Sequence, residues 1–102
     1  MEEWENELKN IRNEINEIDE KIILLIKKRT DLAPKVVDLK LKLNKPIDDN
    51  HREEEIKRRI YHLCEKYSLD KDVVWFIINK LIEYNKDIQR EYVKNSSIKN
   101  KK

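Results

Sequence analysis

Glycine is absent from the 102-residue sequence, and proline occurs only twice, as Pro34 and Pro46. Sheet proteins depend on glycine for tight turns and bulges, so its absence favours helices joined by a few simple connections. The single cysteine, Cys64, excludes an internal disulfide and fits a buried thiol in a reducing compartment. Because no apolar run approaches a membrane span and the acidic N-terminus lacks a signal-peptide pattern, the sequence predicts a cytoplasmic location.

Charged side chains, by contrast, make up 43% of the sequence, with 23 basic residues against 21 acidic ones. A balance this close is not typical of proteins that bind nucleic acid, so we expect neither nucleic acid nor a membrane as partner. The excess positive charge lies mostly in residues 95–102, which we interpret as a basic, disordered tail. We expect residues 1–94 to form one helical domain.

A regular apolar stripe dominates the first part of the sequence. Its members follow one another in alternating steps of four and three, as in a long amphipathic helix: Trp4, Leu8, Ile11, Ile15, Ile18, Ile22, Leu25, Leu32, Val36, Leu39 and Leu43. A helix from Trp4 to Leu43 would be about 60 Å long, whereas a compact domain of this size has a radius of gyration of about 13 Å. The stripe therefore needs a partner, and we expect a homodimer of paired long helices. Because the stripe keeps its phase across Pro34, we expect one helix kinked there rather than two.

Two further helices are predicted after a loop at residues 44–50. The second is expected to begin at a cap supplied by Asp48, Asp49 or Asn50. The third is expected to run from about Lys71 to Tyr92, with Asp70 as its cap. The sequence therefore predicts an all-α fold with three helices in each protomer.

Three polar residues interrupt the apolar faces of these helices. Arg29 stands where the first stripe requires an apolar residue, and Asn85 and Gln89 continue the apolar line of the third helix. A buried guanidinium without a partner costs several kcal/mol, so Arg29 must pair with an anion. One interpretation is a structural ion pair with a carboxylate, that of Asp31, Glu53 or Glu83.

The other interpretation is a binding site for a small anionic ligand. Lys40 follows Arg29 by eleven residues, which places it about 20° off the same helix face. In an antiparallel dimer, Arg12 of the partner helix can reach the same place. The start of the second helix adds further donors and an acceptor: Asp49, Arg52 and Glu53. Since no nucleophile–base pair or metal-ligand spacing occurs, an enzyme built on these residues acts by positioning and electrostatics, without a metal.

In their order and spacing, these residues resemble the all-α chorismate mutases of the AroQ class. The resemblance covers positions 8 to 92 and is carried by a pattern of identities and spacings: Arg12-x-x-Ile15-x-x-Ile18-Asp19-x-x-Ile22-x-x-Leu25-x-x-x-Arg29-x-x-Leu32-Ala33, then Lys40, then Pro46-x-x-Asp49-x-x-Arg52-Glu53, then Ile82-Glu83-x-Asn85-x-x-x-Gln89. The resemblance implies a three-helix protomer whose long first helices intertwine in a dimer with two active sites. It also implies the rearrangement of chorismate to prephenate, a step towards phenylalanine and tyrosine, without a cofactor.

The resemblance assigns the charged groups that meet the substrate. It implies that Arg29, together with Arg12 of the other protomer, clamps the two carboxylates of the dianionic substrate. It implies that Lys40 and Gln89 donate hydrogen bonds to the ether oxygen, where negative charge grows as the carbon–oxygen bond breaks. A charged donor in a water-poor pocket stabilises such charge most strongly.

The remaining roles implied by the resemblance concern the ring and the pocket wall. Glu53 and the backbone near Asp49 would hold the ring hydroxyl, Asn85 would reach a carboxylate, and Arg52 would fix nearby acids. The apolar wall would be formed by Val36 and Ile82. Two departures from the family pattern are Asn85, where serine is frequent, and Pro34, which lies between Arg29 and Lys40.

Two alternative functions are compatible with the same sequence. An isochorismate-pyruvate lyase on the same scaffold needs the same two arginines and the lysine, but Glu53 suits the ring hydroxyl of chorismate better. A non-catalytic helical dimerisation module explains the stripe and the charged surface without any site. It predicts that Arg29, Asn85 and Gln89 are satisfied by one another or by nearby acids.

Overall fold

The computed structural model describes residues 1–100, with side chains through residue 96, and every regular element in this range is an α-helix. The helices are α1 (Glu2–Asp31), α2 (Ala33–Lys42), α3 (Asn50–Tyr67) and α4 (Lys71–Asn100). The described residues contain no strand, which confirms the all-α class predicted from the sequence. Over the same residues, no helix is both long and apolar enough to cross a membrane.

The first of two compact units comprises Met1–Asp31 and consists of α1. Acidic residues occupy its first turn and Lys28 and Arg29 its last, so each sign of charge lies at the helix end whose dipole attracts it. No residue of α1 is buried. The members of the predicted apolar stripe on this helix are all exposed: Trp4, Leu8, Ile11, Ile15, Ile18, Ile22 and Leu25.

The predicted disturbance near Pro34 coincides with a helix boundary. The segment expected to form one helix kinked at Pro34 is instead divided into α1 and α2 by one residue, Leu32, which itself keeps right-handed helical dihedral angles (φ −80°, ψ −17°). Pro34 lies in the first turn of α2, where a missing N–H breaks no hydrogen bond within the helix. The Val36 N–H donates to the Leu32 carbonyl at 3.0 Å, so the first helical bond of α2 forms beyond the proline.

The second unit begins at Leu32, and in it α2 and α3 each pack against α4. Among its described side chains, through residue 96, the apolar core is small and contains four buried residues: Ala33, Val37, Cys64 and Ile82. The burial of Cys64 agrees with the buried thiol expected from the sequence. Between α4 and α2, the Tyr92 hydroxyl donates to Asp38 at 2.9 Å, and this hydrogen bond raises the pKa of Tyr92 above its usual value.

Side-chain caps define the starts of α3 and α4. The Asp49 carboxylate accepts from the Arg52 N–H at 3.1 Å, and the Asp70 carboxylate accepts from the N–H groups of Asp72 and Val73 at 2.9 and 3.0 Å. Both caps confirm sequence predictions. Helix α3 ends at Tyr67 and is followed by its C-cap, Ser68, whose φ of 56° lies in the left-handed region that glycine would occupy more readily.

Helix α4 is longer than the sequence predicts. We expected it to end near Tyr92 and to be followed by a tail at residues 95–102, whereas the helix continues to Asn100. Val93 and Ser96 are partly buried, so one face of the helix is still covered beyond the predicted end. The last two residues of the expected tail lie outside the described residues.

Candidate active site

The two arginines expected to bind substrate carboxylates both lie on α1. Arg12 is exposed and Arg29 is partly buried, in the last turn of the helix. Seventeen residues separate them, which corresponds to about 25 Å along a helix. A single small dianion cannot bridge that distance, so two arginines of one α1 helix do not clamp the same ligand.

Lys40 lies in the last turn of α2 and points its ammonium group at the following loop. The Nζ atom donates to the Ile47 carbonyl at 2.7 Å, and the residue is partly buried. An ammonium group has three donors, so this bond leaves two for a ligand. The loop thereby fixes the direction of the charge for which the resemblance implies a role at the ether oxygen.

The start of α3 brings Asp49, Arg52 and Glu53 into one helical turn. Asp49 uses its carboxylate as the helix cap, accepting a hydrogen bond from the Arg52 N–H. Glu53 is partly buried, and its Oε1 accepts from Lys86 at 3.2 Å. The first N–H groups of α3 give this end of the helix a positive potential, which favours the presence of carboxylates there.

Two amide side chains, Asn85 and Gln89, are buried on the face of α4 that is otherwise apolar. Asn85 is 5% exposed and Gln89, one turn later, is 8% exposed, while Ile82 is buried on the same face. Among the described residues, Gln89 Oε1 is buried without a hydrogen-bond partner. Such an atom costs about 1–3 kcal/mol. A half-turn of the amide exchanges its oxygen for its NH₂ group, so the same position can present a donor to a ligand.

An ion-pair cluster joins the α2–α3 loop to α4. Lys86 Nζ lies 2.9 Å from Asp48 and 3.2 Å from Glu53, and Arg90 lies 2.9 Å from the same Asp48 oxygen. The hydrogen bond from Lys86 lowers the pKa of Asp48, and the same bond raises the pKa of Lys86. Both groups are therefore held in their charged forms.

The structure thus links several of the residues singled out in the sequence. Lys40 contacts the loop at Ile47, and Lys86 connects the next loop residue, Asp48, to Glu53. The two expected wall residues differ, since Ile82 is buried whereas Val36 is 41% exposed. Arg12 and Arg29 both lie on α1, which forms the other compact unit.

Sequence reasoning missed Lys86 and Asp48. The available signal was spacing: Lys86 follows Ile82 by four residues and precedes Gln89 by three, so it lies beside the face that carries the buried amides. Asp48 was considered only as a cap for α3. Its partners lie 38 and 42 residues away in the sequence, and no local pattern indicates them.

Taken together, the described side chains of Lys40, Asn85, Gln89 and Glu53 offer donors and an acceptor for a polar ligand. An ammonium, buried amides and a held carboxylate can orient a polar ligand and stabilise developing negative charge. Among the described residues, no group of three or more potential metal ligands comes together. The chemistry that these side chains support is electrostatic.

Comparison with known proteins agrees with these features. The sequence model of the family described as chorismate mutase type II matches residues 11–90. The chorismate mutase of Methanocaldococcus jannaschii is 42% identical over 95 residues, covering 93% of this chain and 96% of that protein. The bifunctional chorismate mutase/prephenate dehydratase of Escherichia coli K12 is 32% identical over 79 residues, covering 78% of this chain but 20% of that protein.

Proposed function

The chain belongs to the chorismate mutase type II family and catalyses the rearrangement of chorismate to prephenate, and we propose that it does so at sites shared between the two protomers of a homodimer. It is an isomerase of aromatic amino acid biosynthesis. The comparisons do not favour the lyase or the non-catalytic module. A cytoplasmic location remains our proposal, supported by the lone buried cysteine.

The observation that carries the shared site is the exposed apolar stripe of α1. In proteins, a helix owes most of its stability to the packing of such a face rather than to its intrinsic propensity. Fully burying one large apolar side chain is worth about 1.5–3 kcal/mol, and none of those on α1 is buried within the chain. A second copy presents the same stripe, so two α1 helices can cover each other in a two-fold arrangement.

A dimer would also supply each site with two arginines that can reach the same ligand. Because Arg12 and Arg29 of one helix are too far apart to hold one ligand, we assign to each site Arg29 of one protomer and Arg12 of the partner subunit. The two guanidinium groups bind the two substrate carboxylates, with Asn85 as a further donor. Planar guanidinium groups match carboxylates with paired hydrogen bonds.

The reaction breaks a carbon–oxygen bond while a carbon–carbon bond forms, so the enzyme needs no covalent intermediate. We assign Lys40 and Gln89 to the ether oxygen, where they stabilise the negative charge that develops in the transition state. Glu53 and the backbone at Asp49 hold the ring hydroxyl, while Arg52 supports these acids. The apolar wall consists of Val36 and Ile82.

Subunit complementation tests this arrangement. Lys40→Ala is expected to lower kcat/KM by about 10²–10³-fold, the usual loss for a group that stabilises transition-state charge. Arg12→Ala and Arg29→Ala are expected to lower it by a similar factor, because each removes one partner of a hydrogen-bonded charge pair with a substrate carboxylate. When Arg12→Ala chains are refolded with an equal amount of Arg29→Ala chains, about half of the dimers are mixed, and each mixed dimer holds one intact site. About a quarter of wild-type chorismate consumption is therefore expected to return.

The matched control pairs two residues assigned to the same protomer of a site. Refolding Arg29→Ala chains with Lys40→Ala chains leaves every site defective and should restore nothing, whereas Arg12→Ala with Lys40→Ala should again restore about a quarter. Restoration in all three mixtures, or in none, would rule out the proposed division of residues. Supplying isochorismate in place of chorismate and identifying the products separates a mutase from a lyase.

A further inference from the structure

Lys86 differs from the other lysines of the described chain that form ion pairs. Its side chain is 21% exposed, and its two carboxylate partners lie on different segments, Asp48 in the α2–α3 loop and Glu53 in the first turn of α3. By contrast, the pairs of Lys27 and Lys80 join side chains that are more than half exposed, within one helix turn. Exposed pairs of that kind contribute little to stability.

The contact with Glu53 restrains the carboxylate that we assign to the substrate hydroxyl. Glu53 has a 27% exposed side chain, and Lys86 binds its Oε1 from α4, 33 residues further along the chain. A glutamate has three side-chain torsions, and a long-range bond to one oxygen removes most of that freedom. A carboxylate offers about four acceptor positions, so the bond leaves acceptors for a hydroxyl.

The contact with Asp48 fixes the loop that also binds Lys40. Asp48 lies between Ile47, whose carbonyl accepts from Lys40, and Asp49, which caps α3. Lys86 therefore holds this three-residue stretch from α4 while Lys40 holds it from α2. Lys86 thus contacts both the Glu53 carboxylate and the loop residue that follows the Lys40 acceptor.

We propose that Lys86 is a positioning residue for the reaction, which holds the Glu53 carboxylate in the geometry that receives the substrate ring, while its contact with Asp48 anchors the ammonium group. It touches no reacting atom and acts through Glu53. The inference rests on the proposed function, because it gives Lys86 a purpose only if Glu53 binds the substrate.

The test compares Lys86→Met, which keeps the length of the side chain but removes its charge and donors, with Lys86→Arg, which keeps both. We expect Lys86→Met to raise KM for chorismate about tenfold, equivalent to about 1.4 kcal/mol, with kcat changed less than about threefold. Lys86→Arg should recover most of the loss. A purely structural role would instead lower the fraction of folded enzyme, and with it kcat, at unchanged KM.

Arg90→Met is the matched control. Arg90 binds the same Asp48 oxygen as Lys86 but pairs otherwise with Asp87, not Glu53, and its side chain is 49% exposed. We expect KM of Arg90→Met to stay within about twofold of wild type, as for an exposed ion pair. An equal rise in KM for Arg90→Met and Lys86→Met would contradict a role through Glu53.

A double-mutant cycle separates the inference from the function on which it rests. In a Glu53→Ala background, Lys86→Met should cause no further rise in KM, because the group through which it acts is gone. If Lys86→Met raises KM equally in both backgrounds, or in neither, the inference is wrong while the proposed function stands. If Glu53→Ala itself leaves KM unchanged, the assignment of Glu53 is wrong and the inference falls with it. Should Lys86→Met fail to fold, Lys86→Gln takes its place in the same cycle.

Discussion

Helix α1 and the unit formed by α2, α3 and α4 carry apolar patterns of similar regularity but use them differently. In the second unit, the apolar faces meet within the chain and bury Val37, Cys64 and Ile82. In α1, no residue is buried, although the stripe is longer. A similar pattern therefore accounts for a core within the second unit, whereas on α1 it supports our proposal that the stripe pairs with a second copy of the chain.

The two units also contribute different groups to the proposed active site. The guanidinium groups for the substrate carboxylates come from α1, whereas the groups for the ether oxygen and the ring hydroxyl come from α2, α3 and α4. The second unit orients its polar groups with contacts of its own, such as Lys40 to Ile47 and Lys86 to Glu53. A change in α1 should therefore act on assembly, and a change in the second unit on stability or local geometry.

The largest effect is expected from a charge in the α1 stripe. Ile18 is 53% exposed in the single chain, and we expect Ile18→Lys to dissociate the dimer and to lower activity at least about a hundredfold at low protein concentration. The reason is that the dimer interface would bury two unpaired ammonium groups, one from each chain. An uncompensated buried charge costs about 3 kcal/mol or more, which weakens association by at least about a hundredfold. Sedimentation or light scattering measures the oligomeric state, and chorismate consumption measures activity.

Asn16→Lys provides the control for that experiment. It adds the same charge to α1, two residues away and about 200° around the helix from Ile18, outside the stripe. Lysine has a better helix propensity than asparagine, so folding should not suffer. An Ile18→Lys variant that remains as active and as dimeric as Asn16→Lys would show that the stripe of α1 does not form an interface.

Most of the fold could be predicted because its determinants are local. Apolar spacing indicated the helices, and the caps at Asp49 and Asp70 required only neighbouring residues. The end of α4 was placed too early, because Asn95 and Ser96 are poor helix formers. Propensity is a weak guide where tertiary contacts continue, and Val93 and Ser96 remain partly covered.

The candidate site was less predictable because its contacts are long-range. Gln89 and Asn85 were visible as polar interruptions of an apolar line, and both are buried. The pairing of Lys86 with Glu53 depends on how α4 packs, which charge spacing does not reveal. The stripe also drew attention to Val36, whereas the residue that fills the core is its neighbour Val37.

Val36 and Val37 allow a second test, with a smaller expected effect, in which a buried and an exposed apolar residue are compared on the same helix. Val37 is fully buried and Val36 is 41% exposed. We expect Val37→Ala to lower the free energy of unfolding by about 2 kcal/mol, the sum of lost burial and the cavity left behind. Val36→Ala should lower it by less than about 1 kcal/mol, because the side chain is only partly removed from water.

For catalytic activity we expect the opposite order, with the larger loss for Val36→Ala. With Val36 assigned to the pocket wall, Val36→Ala is expected to lower kcat/KM by about 3–10-fold, in line with one or two lost methyl contacts. Folded Val37→Ala should keep activity near wild type. Urea unfolding at a fixed protein concentration gives the stabilities. Equal stabilities for the two variants would mean that the faces of α2 are wrongly assigned.

The smallest expected effect is on the stability of the second unit at acidic pH. The hydrogen bond from Lys86 lowers the pKa of Asp48 below its usual value of 3.8, so the folded chain holds this carboxylate ionised at a pH where the unfolded chain begins to protonate it. The stability that the charge contributes is therefore fully present above about pH 4 and is lost as the pH falls through the lowered pKa. We expect Asp48→Asn to be slightly less stable than wild type at pH 7 and equally stable near pH 2. Melting curves across this range measure the difference, with Asp87→Asn as a control on the exposed face of α4. A difference that stays constant with pH would mean that the Asp48 charge is not what Lys86 recognises.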